Sequence, residues 1–325
     1  MACGTSIDMN EEVSPLQWRI GLVGYGEVGR ILAEDLRGIG VAHIDAYDVK
    51  LGTDDEGPLR AHAEKCGVHL AQSSAELAGS VDLIVSAVTA RQTVAVAQAC
   101  AHSIRPQTWF LDFNSASPEA KKRAGGALDV HGALYVEGAV MTSVPPYRIG
   151  VPLLLGGPHA KALEPKLRAL GFRPKFASEV LGVASATKMC RSVMIKGLEA
   201  MVIESFTAAR AYGVEDQVLA SLAETFPGID WEKQGAYFFQ RVIEHGWRRS
   251  EEMHEAAQTV QDIGLEPWSA RGTAERQAWI ADLADRGVFG ARGSAPFARS
   301  ANWRSEADRI LRDLDGERKD KDSAI

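Results

Sequence analysis

The segment Gly24-Tyr25-Gly26-Glu27-Val28-Gly29 constrains the fold of this chain more than any other. It follows the short apolar run Trp18 to Val23 and opens a stretch in which Ile31, Leu32 and Leu36 share one helical face. A strand that turns through glycines into a helix is the layout of a dinucleotide-binding βαβ unit. Gly24 permits the tight turn, Gly26 lets the backbone approach a pyrophosphate, and Gly29 lets the helix pack closely, with helix N-terminal amides facing the anion. All six residues, Tyr25, Glu27 and Val28 included, are cofactor-binding candidates.

The next strand, His43 to Tyr47, runs into Asp48. A carboxylate there accepts hydrogen bonds from the adenosine ribose and repels a 2′-phosphate, which predicts NAD in preference to NADP. Asp45 competes for the role, although alternation sets it earlier in the strand, and Lys50 would blunt the discrimination.

From Gln17 to about Gly157, β-branched runs alternate with helical stretches, with further strands expected at Val81 to Val88, Trp109 to Phe113, Tyr135 to Met141 and Pro152 to Leu155. Beyond Gly157 strand signals nearly vanish. Val183 to Tyr212 reads as one long helix ending at Gly213, with Met194, Leu198, Met201, Val202 and Phe206 as an apolar stripe for core or dimer packing. The expected fold class is α/β, an N-terminal Rossmann doubly wound sheet followed by an all-α C-terminal domain. The divisions expected are a flexible N-terminus over 1–17, a dinucleotide-binding domain over 18–180, a helical substrate and dimerisation domain over 181–312, and a disordered tail over 313–325.

With 325 residues, 46% of them hydrophobic, the chain can bury two cores, and its net charge of -7 argues against a partner that binds through a phosphate backbone. The first residues, with Asp8, Glu11 and Glu12, do not read as a signal peptide, and no apolar run is long enough to span a bilayer. Cys3, Cys66, Cys100 and Cys190 form no CxxC pair, and the histidines form no HxxxH or HExxH pair. A soluble cytoplasmic protein with reduced thiols is expected, with no metal, no nucleic-acid partner and no membrane.

Three further segments carry candidate chemistry. Asp112, Asn114 and Ser115 follow a strand at its carboxyl end, where open α/β sheets bind ligands, although Asp112 and Asn114 would equally cap the next helix. Met141, Thr142 and Ser143 follow another strand, and small hydroxyl residues there suit a substrate carboxylate or an ordinary turn. Lys188 stands among small residues in Gly182-Val183-Ala184-Ser185-Ala186-Thr187-Lys188, either as a solvated surface charge or as a partly desolvated group able to exchange a proton with a substrate hydroxyl.

Taken in this order, the motifs resemble the β-hydroxyacid dehydrogenases, which include 3-hydroxyisobutyrate and 6-phosphogluconate dehydrogenases, from about Arg19 to Gly290. The likeness is nearest to a phosphogluconate-dehydrogenase-like branch with its own C-terminal domain of unknown function. The resemblance implies that Val88 and Thr89 form the nicotinamide-side loop, Asn114 and Ser115 the second cofactor and substrate loop, and Lys188 the catalytic general acid/base. Where the family usually has Ser-Gly-Gly in its substrate loop, this chain has Met141, Thr142 and Ser143, and where the family has Asn one turn after the lysine it has Ser192. Arg248 or Arg249 falls where the family places a basic residue, and a guanidinium there could clamp a carboxylate bidentately; pairing with Glu251 and Glu252 is the alternative. The activity expected is NAD-dependent oxidation or reduction at the CH-OH group of a small hydroxy acid or polyol by a homodimer. Oxidative decarboxylation of a β-hydroxy acid, imine reduction and non-catalytic NAD(H) sensing are the alternatives.

Overall fold

The computed structural model describes residues 13–295 and 297–322, and the side chains of 317–322 are left undescribed. It divides into two compact units, 1–188 and 189–325. The flexible N-terminus expected over 1–17 lies largely outside the described residues.

The first unit is built on an eight-stranded sheet in the order β3-β2-β1-β4-β5-β6-β7-β8. The strands are β1 (Arg19–Val23), β2 (His43–Tyr47), β3 (His69–Leu70), β4 (Leu83–Ser86), β5 (Trp109–Asp112), β6 (Leu134–Val140), β7 (Pro152–Gly156) and β8 (Arg173–Ser178). The helices between them are α1 (Glu27–Gly38), α2 (Gly57–Cys66), α3 (Ser74–Ala78), α4 (Thr93–Ala101), α5 (Pro118–Asp129) and α6 (Ala160–Ala169). All neighbouring strands run parallel except β6 and β7. Successive residues of β4 show why the sheet is covered on both faces. Leu83 and Val85 join Leu32, Leu36 and Leu163 in one buried cluster, whereas Ile84 joins Leu77, Ala97 and Leu128 in another. The doubly wound α/β sheet expected from the sequence is therefore present, and the order reverses between β1 and β4, where such sheets bind ligands at their carboxyl ends.

Two strands go beyond the expected set. β3 has only two residues, and β8 alternates exposed Arg173 and Lys175 with buried Pro174 at the sheet edge, so neither presents an apolar run.

The second unit is helical throughout its regular elements. α7 (Val183–Tyr212) begins in the first unit and continues into the second, followed by α8 (Glu215–Thr225), α9 (Trp231–Gln261), α10 (Trp268–Asp285) and α11 (Trp303–Asp322). Phe206, Trp231, Phe239 and Trp303 lie in its core, with the Phe206 and Trp303 rings 4.8 Å apart. α9 and α10 approach closely at Gly246, where a Cβ would come 2.6 Å from the Gln277 carbonyl oxygen. Of the expected α7 stripe, Val202 and Phe206 are buried and Leu198 packs partly against the core, but Met194 and Met201 are 73% and 62% exposed. The segment expected to be disordered over 313–325 is helical as far as Asp322. Its charges surround a face on which Trp303, Ala307, Ile310 and Leu314 meet the core at helical spacing.

Candidate active site

The glycine-rich turn is shaped by its neighbours. Gly24 has φ of +92°, and a Cβ there would lie 2.4 Å from the Ala87 carbonyl oxygen. At Gly29 a Cβ would lie 2.2 Å from the Gly24 carbonyl oxygen, so α1 can start this close to β1 only with glycine. Gly26 differs: a Cβ there would meet nothing within 4 Å. Gly26 and Glu27 are exposed, and no side chain caps the start of α1. The N-terminal amides of α1 thus face open space, the cradle that a pyrophosphate fills. Residues and geometry fit a dinucleotide here.

Tyr25 is oriented differently from its neighbours. Its side chain is fully buried and its Oη is bonded to His62 Nδ1 at 2.8 Å, so only its backbone lines the turn. Burial raises the phenol above its ordinary pKa, which keeps it protonated. The Tyr25 N–H donates to Asp48 Oδ2 at 2.8 Å, which locks the half-buried Asp48 against the turn. The rival carboxylate, Asp45, is 5% exposed and is held by Arg19 and His69, each at 3.2 Å.

The loops after β4 and β5 are tied together by Asn114, whose Oδ1 accepts from the Val88 N–H at 2.7 Å and whose Nδ2 donates to Ser86 Oγ at 3.1 Å. Both ends of its buried amide are therefore committed within the protein, and Asn114 holds the Val88-Thr89 loop in register. Thr89 itself is exposed. Beneath this loop Asp112, 1% exposed, accepts from the Asn114 N–H, from Tyr135 Oη at 2.7 Å and from Lys121 Nζ at 2.7 Å. Burial followed by the Asp112 charge holds the Tyr135 phenol well above its usual range. The cap of α5 is Ser117, which accepts from the Ala120 N–H, not Asp112 or Asn114.

Lys188 is half-buried, and its Nζ donates to Ser115 Oγ at 2.5 Å. Glu137 sets the start of α7 that carries it. This fully buried carboxylate accepts the Gly182 and Ala184 N–H groups at 3.0 and 2.9 Å and the Ser185 hydroxyl at 2.9 Å. Gly156 makes room for it, since a Cβ there would lie 2.2 Å from Glu137 Oε1. Met141 and Ser143 are half-buried after β6, and Thr142 is exposed.

Ser192 and Arg248 belong to the second unit, Ser192 buried and Arg248 exposed. Arg249 is not available as a clamp. It is 6% exposed and paired with Glu199, its Nε at 2.8 Å from Oε2, while Glu252 pairs with Lys196. Burial lowers the Lys196 pKa more than Glu252 restores it.

The fold also brings together residues that sequence spacing had not flagged. His62 and Cys66 lie one turn apart on α2 and meet Glu34 of α1. The signal was an HxxxC spacing that a search for HxxxH or CxxC passes over. Cys100 is fully buried, and burial pushes its thiol up to about 12.

Residues 19–112 match the family described as "NADP oxidoreductase coenzyme F420-dependent", and residues 209–280 match the domain of unknown function DUF1932. A solved conserved hypothetical protein from Sinorhizobium meliloti is 36% identical, with a TM-score of 0.72 over 90% of this chain and 96% of its own. The mitochondrial 3-hydroxyisobutyrate dehydrogenase of Drosophila melanogaster is 24% identical over 221 residues, 66% of this chain and 65% of that protein. The Mycobacterium tuberculosis 3-hydroxyisobutyrate dehydrogenase, 18% identical, shares the fold with a TM-score of 0.67 over 83% of this chain and 96% of its own. Fold and site together define a nicotinamide-dinucleotide oxidoreductase. The chain belongs to the β-hydroxyacid dehydrogenase family, in the branch that carries the DUF1932 C-terminal domain.

Proposed function

We propose that the protein is an NAD-dependent oxidoreductase acting on the CH-OH group of a small hydroxy acid or polyol-type substrate, with Lys188 as general acid/base. The observation that carries this reading is the Lys188 Nζ to Ser115 Oγ hydrogen bond, made beside the loops that leave the carboxyl ends of β4 and β5. A lysine so placed takes the hydroxyl proton during oxidation and returns it during reduction, a contribution of typically ~10² to 10⁴ in rate. The nicotinamide, when bound, supplies the hydride acceptor or donor. Ser115 orients the lysine, and Ser115 with Met141, Thr142 and Ser143 is assigned to the substrate. Gly24 to Gly29 receive the pyrophosphate on backbone amides, and Val88 and Thr89 form the nicotinamide-side loop. Asp48, fixed by the Tyr25 N–H, favours a free ribose 2′-hydroxyl over a 2′-phosphate. Among the described residues no helix is long and apolar enough to cross a membrane, in keeping with a small-molecule substrate met in water.

The test is a panel of hydroxy acids and polyols offered with NAD and with NADP, followed by absorbance of the reduced cofactor and by assay of released carbon dioxide. Turnover with NAD and retention of all substrate carbons is the result expected. A preference for NADP would overturn the role of Asp48, and carbon dioxide release would replace simple oxidation with oxidative decarboxylation.

A further inference from the structure

Apart from the Tyr25–His62 hydrogen bond, Glu34, His62 and Cys66 take no part in the site described above, yet each is held by a second contact beside its contact with the other two. Arg148 Nη2 takes Glu34 Oε2 at 2.7 Å, leaving Oε1 on the inner side. Tyr25 Oη holds His62 Nδ1 at 2.8 Å, which turns Nε2 inward. Arg37 donates to the Cys66 carbonyl at 3.0 Å and to the Val41 carbonyl at 2.8 Å, fastening the end of α2 that carries the thiol. His62 Nε2 then stands 3.2 Å from Glu34 Oε1 and 3.7 Å from Cys66 Sγ, and all three ligand atoms lie within 4.8 Å of one another.

The two separations made by His62 match edges of a tetrahedron around zinc. With Zn–N of about 2.0 Å and Zn–S of about 2.3 Å, tetrahedral angles set N···S near ~3.6 Å and N···O near ~3.3 Å. Glu34 and Cys66 both line a surface pocket of about 680 Å³, and three protein ligands leave the fourth position of a zinc ion to water. A histidine ligand oriented through its second nitrogen, as His62 is by Tyr25, is the usual outer-shell device of such centres.

We propose that Glu34 Oε1, His62 Nε2 and Cys66 Sγ form a site for one divalent transition-metal ion of the Zn²⁺ class, joining α1 to α2 behind the dinucleotide turn. Binding displaces the thiol proton to solvent and leaves the Arg148 contact on the other Glu34 oxygen intact.

Titration of the metal-free full-length chain with Zn²⁺ by calorimetry, and with Co²⁺ by its thiolate charge-transfer absorption, tests this. One Zn²⁺ per chain is expected, with His62→Ala and Cys66→Ser each weakening binding by about 100-fold or more and Tyr25→Phe by about 10- to 100-fold. Cys66→Ser removes the Co²⁺ charge-transfer band, and Cys190→Ser leaves both readouts unchanged. If His62→Ala does not fold, by circular dichroism, Cys66→Ser and Glu34→Gln decide. Absence of a stoichiometric site in the parent chain, an unchanged affinity in Cys66→Ser, or a charge-transfer band that survives it, overturns the proposal and leaves the three groups as a hydrogen-bonded cluster only.

Discussion

Glu137 shows how much of the candidate site rests on residues that make no claim to chemistry. A single carboxylate satisfies two of the unpaired N–H groups at the start of α7 and complements its dipole. Its partners lie 45 to 48 residues further along the chain, so in sequence Glu137 is only an acidic residue inside an apolar strand. Replacing it by glutamine turns an N–H₂ group onto backbone donors. Glu137→Gln should cost about 1–3 kcal/mol in urea unfolding, and stability equal to that of the parent chain would show that the contact does not hold α7. Local motifs were legible for the opposite reason. The Gly24 to Gly29 turn and Asp48 are defined by their own neighbours, and strand alternation separates Asp48 from Asp45, which is bonded to Arg19 and His69. The inward rotation of Tyr25 and the closed amide of Asn114 depend on His62, Ser86 and Val88, which spacing alone does not relate to them.

Among the elements, α9 carries the least regular feature. His245 leaves helical geometry at φ -127° and ψ 18°, and the kink falls next to Gly246, where α10 approaches too closely for a Cβ. Burial first, then the Arg248 charge, pushes the His245 imidazole down from 6.5 to about 4. The unfolded chain therefore takes up this proton at a higher pH than the folded one. Stability present above pH 6.5 is lost as the pH falls through that window towards about 4. Thermal melts between these limits should show a steeper loss for the parent chain than for His245→Gln, and parallel curves would refute the assignment. α7 was legible end to end because Gly213 closes an unbroken helical run, although Met194 and Met201 of its expected stripe are exposed. β3 and β8 were not, because a two-residue strand and an edge strand with outward Arg173 and Lys175 gain their place from pairing rather than from apolar content. α11 was hidden by its charges, which outnumber the four residues that anchor it.

For the whole molecule, the exposed Met194, Ile195 and Met201 on one long helix form apolar surface that the described residues leave uncovered. Light scattering should give a homodimer that persists on dilution and is weakened by Met194→Glu with Met201→Glu, whereas a monomer at every concentration would refute self-association. In the proposed function Lys188, half-buried on Ser115, transfers the proton, while the glycine turn and Asp48 anchor the pyrophosphate and adenosine ribose of the dinucleotide at a separate point. The most direct measurement pairs turnover of Lys188→Ala with its affinity for NADH, taken by fluorescence titration. A fall in turnover of about 10² or more, with NADH affinity nearly unchanged, is the predicted result. Near-normal turnover in Lys188→Ala would contradict the account.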